Sequence, residues 1–387
     1  MKKDSDFVLI LIMCLMAASS VGLSMNCPGA FFGPVSSALN VKRGTLAFYS
    51  TIGSITTGFS TMIIPKILNE KNFKPVLISG MLCNIRAIFC MSFCTQVWHF
   101  YALAVIMGIG NSCYSTVVIT IIINSLIHQQ IGMKTGLVLS FSGVGGAIFN
   151  PVLSSVIENH GWQTGYRLMA VIMLLMCMPS MVYPIKYVRA RRVSREKRRS
   201  LIDGFMLLTF LAVIFIQFVP ALGQHLIGLG TDKGLTASAA AYLTSACMLA
   251  NLSFKLLAGY LADRIGTLKT IVIVAIVNLT GDILLLTGNS FPVLLAGAFM
   301  FGSIFAITAL LISLLCKDLF GRDRYNDTYP VVSFVSTVTY AVYVSIVGYM
   351  YDFTSSYDLT ISVIIRSLVI GTLMLANLYR IRKLRNS

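Results

Sequence analysis

The sequence predicts an all-α integral membrane protein with twelve transmembrane helices in two pseudo-symmetric six-helix bundles, and three observations predict it. The 387 residues are 56% hydrophobic and only 11% charged, with a mean hydropathy of +0.82. A soluble surface needs roughly a quarter charged residues. A spanning helix takes ~20 mostly apolar residues at 1.5 Å rise, and a window of that length finds twelve segments along the chain. The basic run KYVRARRVSREKRR, Lys186 to Arg199, divides them six and six.

In chain order the first six segments are 7–26, 45–64, 75–95, 100–123, 136–157 and 166–183. The second six are 205–226, 237–258, 270–286, 293–315, 331–350 and 359–378. No stretch between them is long enough to fold as a domain. The expected organisation is therefore residues 1–185 as the N-terminal bundle, 186–202 as a basic cytoplasmic linker and 203–387 as the C-terminal bundle. Lys2 and Lys3, followed by an apolar run and the small residues Ala17, Ala18, Ser19 and Ser20, also have the form of a secretory signal peptide. The many segments that follow favour an uncleaved first helix.

The net charge of +16 does not point to nucleic acid, because the lysines and arginines sit in short loops between apolar runs. That arrangement orients membrane helices. Lys2 and Lys3, the central run, and Arg380, Arg382, Lys383 and Arg385 place both termini and the middle of the chain on the cytoplasmic side of the cell membrane, with Lys42 and Arg43 as an external exception.

Eight of the nine cysteines fall within apolar stretches, and Cys27 ends one; all read as small packing residues. No Cys/His cluster has metal-ligand spacing, so no metal and no cofactor is expected. His99, His128, His160 and His225 are scattered, no HExxH or GxSxG occurs, and no P-loop is present to use ATP. An enzyme is therefore not expected. Nothing resembles the carbonyl loop of a channel filter.

The halves look related. Glu70-Lys71 sits where Asp263-Arg264 does, and Glu158 where Asp352 does. A repeat of this kind in a two-bundle transporter places the site between the halves. Gly136, Ser140, Gly143 and Gly146 are expected to let the fifth helix approach a partner closely.

A charge at membrane depth costs at least about 2.5 kcal/mol on insertion scales. Four qualify: Arg86, Lys255, Asp282 and Arg366. Asp282 and Arg366 fall at similar depths in the ninth and twelfth segments and are expected to form a structural ion pair, with proton carriage by Asp282 as the alternative. Arg86 is expected to be structural. Lys255 is the candidate site residue; snorkelling or an internal pair are its alternatives. Asn251 lies one turn earlier on the same helix face and could bond the same anion. Further polar groups are Asn26, Asn111, Tyr114, Ser140, Ser142, Gln217, His225, Ser336 and Thr337, with His225 expected to be solvated near an outer helix end.

Gly259, Asp263, Arg264, Gly266 and Lys269 stand at the spacing of the loop signature of the major facilitator superfamily, which this stretch resembles. Its counterpart PKILNEKNFK keeps only the charges Lys66, Glu70 and Lys71. The stretches GMKTGLVLSFSGVGGAIFNP, GWQTGYR, GPVSSALNVKRGTLAFYS, GIGNSCY and KDLFG resemble the monocarboxylate transporter and oxalate/formate antiporter branch of that superfamily. The resemblance implies a secondary transporter that moves a small organic anion by alternating access, a monomer in the lipid bilayer coupled to protons or a counter-anion.

It also implies that Lys255 stands where the branch has an arginine facing a substrate carboxylate. Tyr114 matches the GxGxxxY of the fourth helix, and Asn26, Gln217, Ser336 and Thr337 join Asn251 as pocket-lining groups. The loop at Gly259 to Lys269 and the one at Glu70 and Lys71 are implied to latch the cytoplasmic helix ends. The second cation of the branch, on helix eleven, is missing from FVSTVTYAVY, which favours a monocarboxylate. The alternative is a carrier of a different small solute, with Lys255 structural.

Overall fold

The computed structural model describes residues 2–126, 131–183, 185 and 204–386, and among these it is helical with no strand. The chain divides into two compact units, Met1–Val193 and Ser194–Ser387. The expected basic linker, 186–202, lies outside the described residues.

In the first unit α1 (Lys2–Ala17) continues into a π turn at Ala18–Leu23, followed by α2 (Gly29–Ala38), α3 (Arg43–Ile67), α4 (Phe73–Met91), α5 (Val97–Ser112), α6 (Thr116–Leu126) and α7 (Ile131–Val182). The second unit holds α8 (Gly204–Phe218), a 3₁₀ stretch at Val219–His225, α9 (Leu226–Asp232), α10 (Ala237–Ile265), α11 (Thr267–Thr287), α12 (Phe291–Phe301) and α13 (Ile304–Ala306). A π turn at Ile307–Leu311, α14 (Ile312–Thr354) and α15 (Asp358–Asn386) complete it.

Two helices each run through two expected segments and turn at a glycine between them. α7 bends at Gly161, φ 83°, and α14 at Gly321, φ 77°. Among the described residues nine helical stretches are long and apolar enough to cross a membrane, and they contain ten of the twelve expected segments. The other two are also largely helical. Phe7–Leu23 is apolar but short, and α3 interrupts its apolar residues with Ser50, Thr51, Ser54, Thr56, Thr57, Ser60 and Thr61.

The close contacts inside each unit follow one repeat. A Cβ added at Gly108 of α5 would lie 2.7 Å from the Gly53 carbonyl oxygen of α3, and one added at Gly302 would lie 2.3 Å from the Cys247 carbonyl oxygen of α10. Asn84 of α4 donates to the Tyr114 hydroxyl at 2.8 Å, and Asn278 of α11 donates to the Phe301 carbonyl at 2.6 Å. From Gly53 to Cys247, Gly108 to Gly302 and Asn84 to Asn278 the step is the same 194 residues. Hydrophobic helices gain little from mutual burial in lipid, so backbone approach at small residues and buried amide bonds hold such bundles. Both devices recur at matching positions.

The fifth-helix glycines do not all act as expected. Gly136 faces open space, and the close approach is at Gly145, where a Cβ would meet the Ala18 carbonyl at 3.1 Å, opposite Gly22.

The two loops that resemble superfamily latches are built differently. Gly266 joins α10 to α11 at φ 89° and ψ 156°, backbone that a side chain makes costly. In the α3–α4 loop Asn69 Oδ1 accepts from the amides of Lys71 and Asn72, both at 3.0 Å, while Asn72 Oδ1 accepts from the Asn69 amide at 2.7 Å. These are local side-chain turns of the kind asparagine favours. Gly266→Ala is expected to destabilise the protein by about 1–3 kcal/mol. Gly259→Ala, whose added Cβ would meet only the tip of Leu310 at 3.7 Å, is expected to be nearly neutral. Thermal unfolding of the two purified variants in detergent compares them, and equal melting temperatures would contradict the expectation.

Candidate functional site

The helix that positions the candidate site is α10. It starts at Thr236, whose hydroxyl accepts from the Ala239 amide, a capping bond that satisfies one of the free donors of the first turn. Its exposed stripe is Tyr242, Leu249, Ser253, Leu256 and Tyr260, apolar or aromatic except for Ser253. The opposite stripe is Met248, Asn251, Lys255, Ala258 and Ala262, of which all but the half-buried Lys255 are buried. At 1.5 Å per residue, Lys255 lies about 15 Å from the Ile265 end of the helix, well inside the span. Lys255 is thus on the inward face.

Among the described residues Lys255 has no ion-pair or hydrogen-bond partner. One turn earlier, Asn251 is buried and its Oδ1 accepts no hydrogen bond. Its Nδ2 reaches only the Met248 sulfur at 3.9 Å. Two polar side chains with spare capacity therefore share one face of one helix. An anionic oxygen placed there would receive an ammonium hydrogen bond and, with the amide turned over, a second from Asn251.

The other proposed pocket groups are already engaged inside their own units. Tyr114 is fully buried and bonded to Asn84, which also pairs with Ser24 at 3.4 Å and Asn111 at 3.5 Å. Asn26 donates to the Ser142 carbonyl at 3.3 Å and accepts from Asn150 at 3.4 Å. Gln217 donates to the Ser336 hydroxyl, joining α8 to α14. The hydroxyls of Ser140, Ser142 and Thr337 turn back to carbonyls of their own helices. Buried polar contacts of this kind bind helices to one another.

Several charges and one histidine stand differently from expectation. Asp282 and Arg366 do not pair: Asp282 is 0% exposed and neither of its carboxylate oxygens accepts a hydrogen bond, while Arg366 is on the exposed face of α15. Position along a helix does not fix which of its faces a side chain occupies. Arg86 is exposed near the end of α4, where a long side chain can extend along apolar surface to the interface. His225 is buried, with Nε2 at 2.8 Å from the Val344 carbonyl and Nδ1 at 3.4 Å from the Tyr357 hydroxyl. It is a packed residue rather than a solvated one.

Among the latch residues Asp263, Arg264, Lys269, Glu70 and Lys71 are exposed and form no ion pair among the described residues. Arg264 lies 4.5 Å over the Tyr260 ring. The GWQTGYR stretch is a packing unit. Tyr166 stacks on Phe31 at 3.9 Å and touches Trp162 and Phe100, and Arg167 bonds Ser92 at the end of α4. In KDLFG, Asp318 accepts from Tyr379 at 2.7 Å and ties α14 to α15. The sequence signal that could have found Asn69, Asn84 and Asn278 is an asparagine in or beside an apolar run.

Helices with exposed apolar stripes and buried polar contacts define a polytopic integral membrane protein. The profile described as Major Facilitator Superfamily matches residues 14–230 and 204–386, and the chain belongs to that superfamily. Monocarboxylate transporter 13 of Rattus norvegicus is 22% identical over 341 residues, covering 85% of this chain and 78% of the relative. Monocarboxylate transporter 12 of Homo sapiens is 20% identical, with 97% and 80% covered. The crystal structure of a D-xylose-proton symporter superposes with a TM-score of 0.73 at 13% identity, covering 97% of each chain. A nucleoside transporter, NupG, gives 0.74 at 12%, covering 96% and 100%. At such identities the structures share the fold. The protein is a membrane carrier of small solutes and not an enzyme.

Proposed function

We propose that the protein is a secondary transporter that moves a small organic anion, a monocarboxylate in the simplest case, across the cytoplasmic membrane by alternating access. The observation that carries this reading is Lys255, a cation inside the span, on the inward face of α10, without a protein partner among the described residues. A charge so placed is expensive unless it is paired or functional, and a carboxylate substrate supplies the pair. Asn251 supplies a second contact, and the absence of a cation from 334–343 on α14 suits one carboxylate better than two. Monocarboxylate transporters among the relatives are consistent with the same substrate class.

In this reading Gly259, Asp263, Arg264, Gly266 and Lys269, with Glu70 and Lys71 in the first unit, latch the cytoplasmic helix ends of a monomer whose termini are both cytoplasmic. A proton or a counter-anion is the coupled species. Counterflow in proteoliposomes against a panel of small carboxylates, at two pH values, tests the reading. Saturable exchange of at least one monocarboxylate is expected. Exchange of neutral solutes only would replace it by a carrier of a different small solute, with Lys255 structural.

A further inference from the structure

Among the described residues, three acceptor atoms one helical turn apart in α11 have no donor. Asp282 and Asn278 are both 0% exposed, and Asp282 Oδ1, Asp282 Oδ2 and Asn278 Oδ1 accept no hydrogen bond. Residues four apart lie on one face of a helix. The Asn278 amide cannot relieve the deficit by turning over, because its Nδ2 is committed to the Phe301 carbonyl at 2.6 Å.

Among the described residues no charged group on the neighbouring helices pairs with Asp282. α11 packs against α10, α12, α13, the π turn at Ile307–Leu311, α14 and α15, and neither α13 nor that turn carries a charged residue. α12 carries no charged residue. On α15, Arg366 and Arg380 are exposed, Arg382 lies near the end of the helix, and Asp358 is held by Lys233 at 3.5 Å. That lysine also donates to the Leu286 carbonyl, one turn beyond Asp282 toward the end of α11. On α10, Lys255 makes no ion pair, and Asp263 and Arg264 are exposed at its last turn. On α14, Lys317 is exposed and Asp318 bonds Tyr379. A buried charge with neither a paired group nor a coordinated ion is strongly unfavourable.

We propose that Asp282 and Asn278 form a binding site for one small monovalent cation, sodium or a proton, inside the second unit. Either supplies the single positive charge that the carboxylate needs, and Asn278 Oδ1 provides a further oxygen ligand to sodium or an acceptor for a carboxyl proton. Lys255 makes no ion pair with Asp282, and the proposal does not depend on the proposed substrate.

The test uses the full-length protein in detergent without substrate, so its failure leaves the transport proposal untouched. If sodium is bound, the wild type unfolds at a higher temperature in sodium chloride than in choline chloride at equal pH and ionic strength, and Asp282→Asn abolishes the difference. If a proton is bound, sodium has no specific effect, and the wild type shows an infrared carboxylic-acid band that Asp282→Asn removes. Should Asp282→Asn not be recovered folded, Asn278→Ala keeps the carboxylate. It is expected to weaken sodium stabilisation roughly tenfold in concentration, about one lost oxygen contact, or to shift the infrared band. The same response to sodium in wild type and variants, with no carboxylic-acid band assignable to Asp282, overturns the proposal.

Discussion

Lys255→Gln is expected to lower carboxylate uptake roughly ten- to hundredfold, the equivalent of one charge-assisted hydrogen bond at about 1.5–3 kcal/mol. Lys255→Arg is expected to keep most of it, because the charge stays and a planar fork can engage a carboxylate. Stability separates this role from a structural one. A lysine that completes an internal ion pair leaves an uncompensated partner when removed and costs several kcal/mol. Lys255 has no such partner among the described residues, so Lys255→Gln is expected to unfold at or above the wild-type temperature while transport falls. Normal uptake of every carboxylate by this variant would remove the site assignment. Lost stability with a proportionate loss of transport would make the residue structural.

Apolar periodicity and loop charge carried much of the architecture in the sequence, because a bilayer demands long apolar helices and leaves few alternatives. α3 shows where that reading is strongest. Its serines and threonines keep it below the apolarity of the other spans, yet it is one unbroken helix of 25 residues. What the sequence does not reveal is azimuth. Spacing along the chain suggests a pair of Asp282 with Arg366, but one lies in the interior and the other on the surface.

The same blindness affected the polar residues. Tyr114, Asn26 and Gln217 read as pocket groups because a polar side chain in an apolar run has two uses, binding a solute or binding another helix. Only the identity of the neighbour distinguishes them: Asn84 for Tyr114, the Ser142 carbonyl for Asn26 and Ser336 for Gln217. Lys255 and Asn251 were legible as a pair because helical spacing alone put them on one face.

The largest loss of stability is expected from Gly302→Ala. The new methyl would lie 2.3 Å from the Cys247 carbonyl oxygen and 2.7 Å from the Ala250 Cβ. Neither obstacle is the tip of a flexible side chain, so α10 and α12 must separate. Overpacking of this kind costs about 1–3 kcal/mol and more when backbone has to move, against at most about 1 kcal/mol gained from the better helix propensity of alanine. Gly108→Ala, at the matching contact of the first unit, meets the Gly53 carbonyl at 2.7 Å and is expected to lose somewhat less. Gly136→Ala points into open space and should be neutral or slightly stabilising. The Gly302 lesion also reaches the candidate site, because Cys247, Asn251 and Lys255 are successive turns of one helix. A shift of α10 at the first moves the other two, so transport by the folded fraction is expected to fall as well, whereas Gly108→Ala should leave that fraction more active. Thermal unfolding and uptake per folded molecule for the three variants measure both effects. A Gly302→Ala protein that melts with the wild type would mean that α10 and α12 are not in backbone contact there.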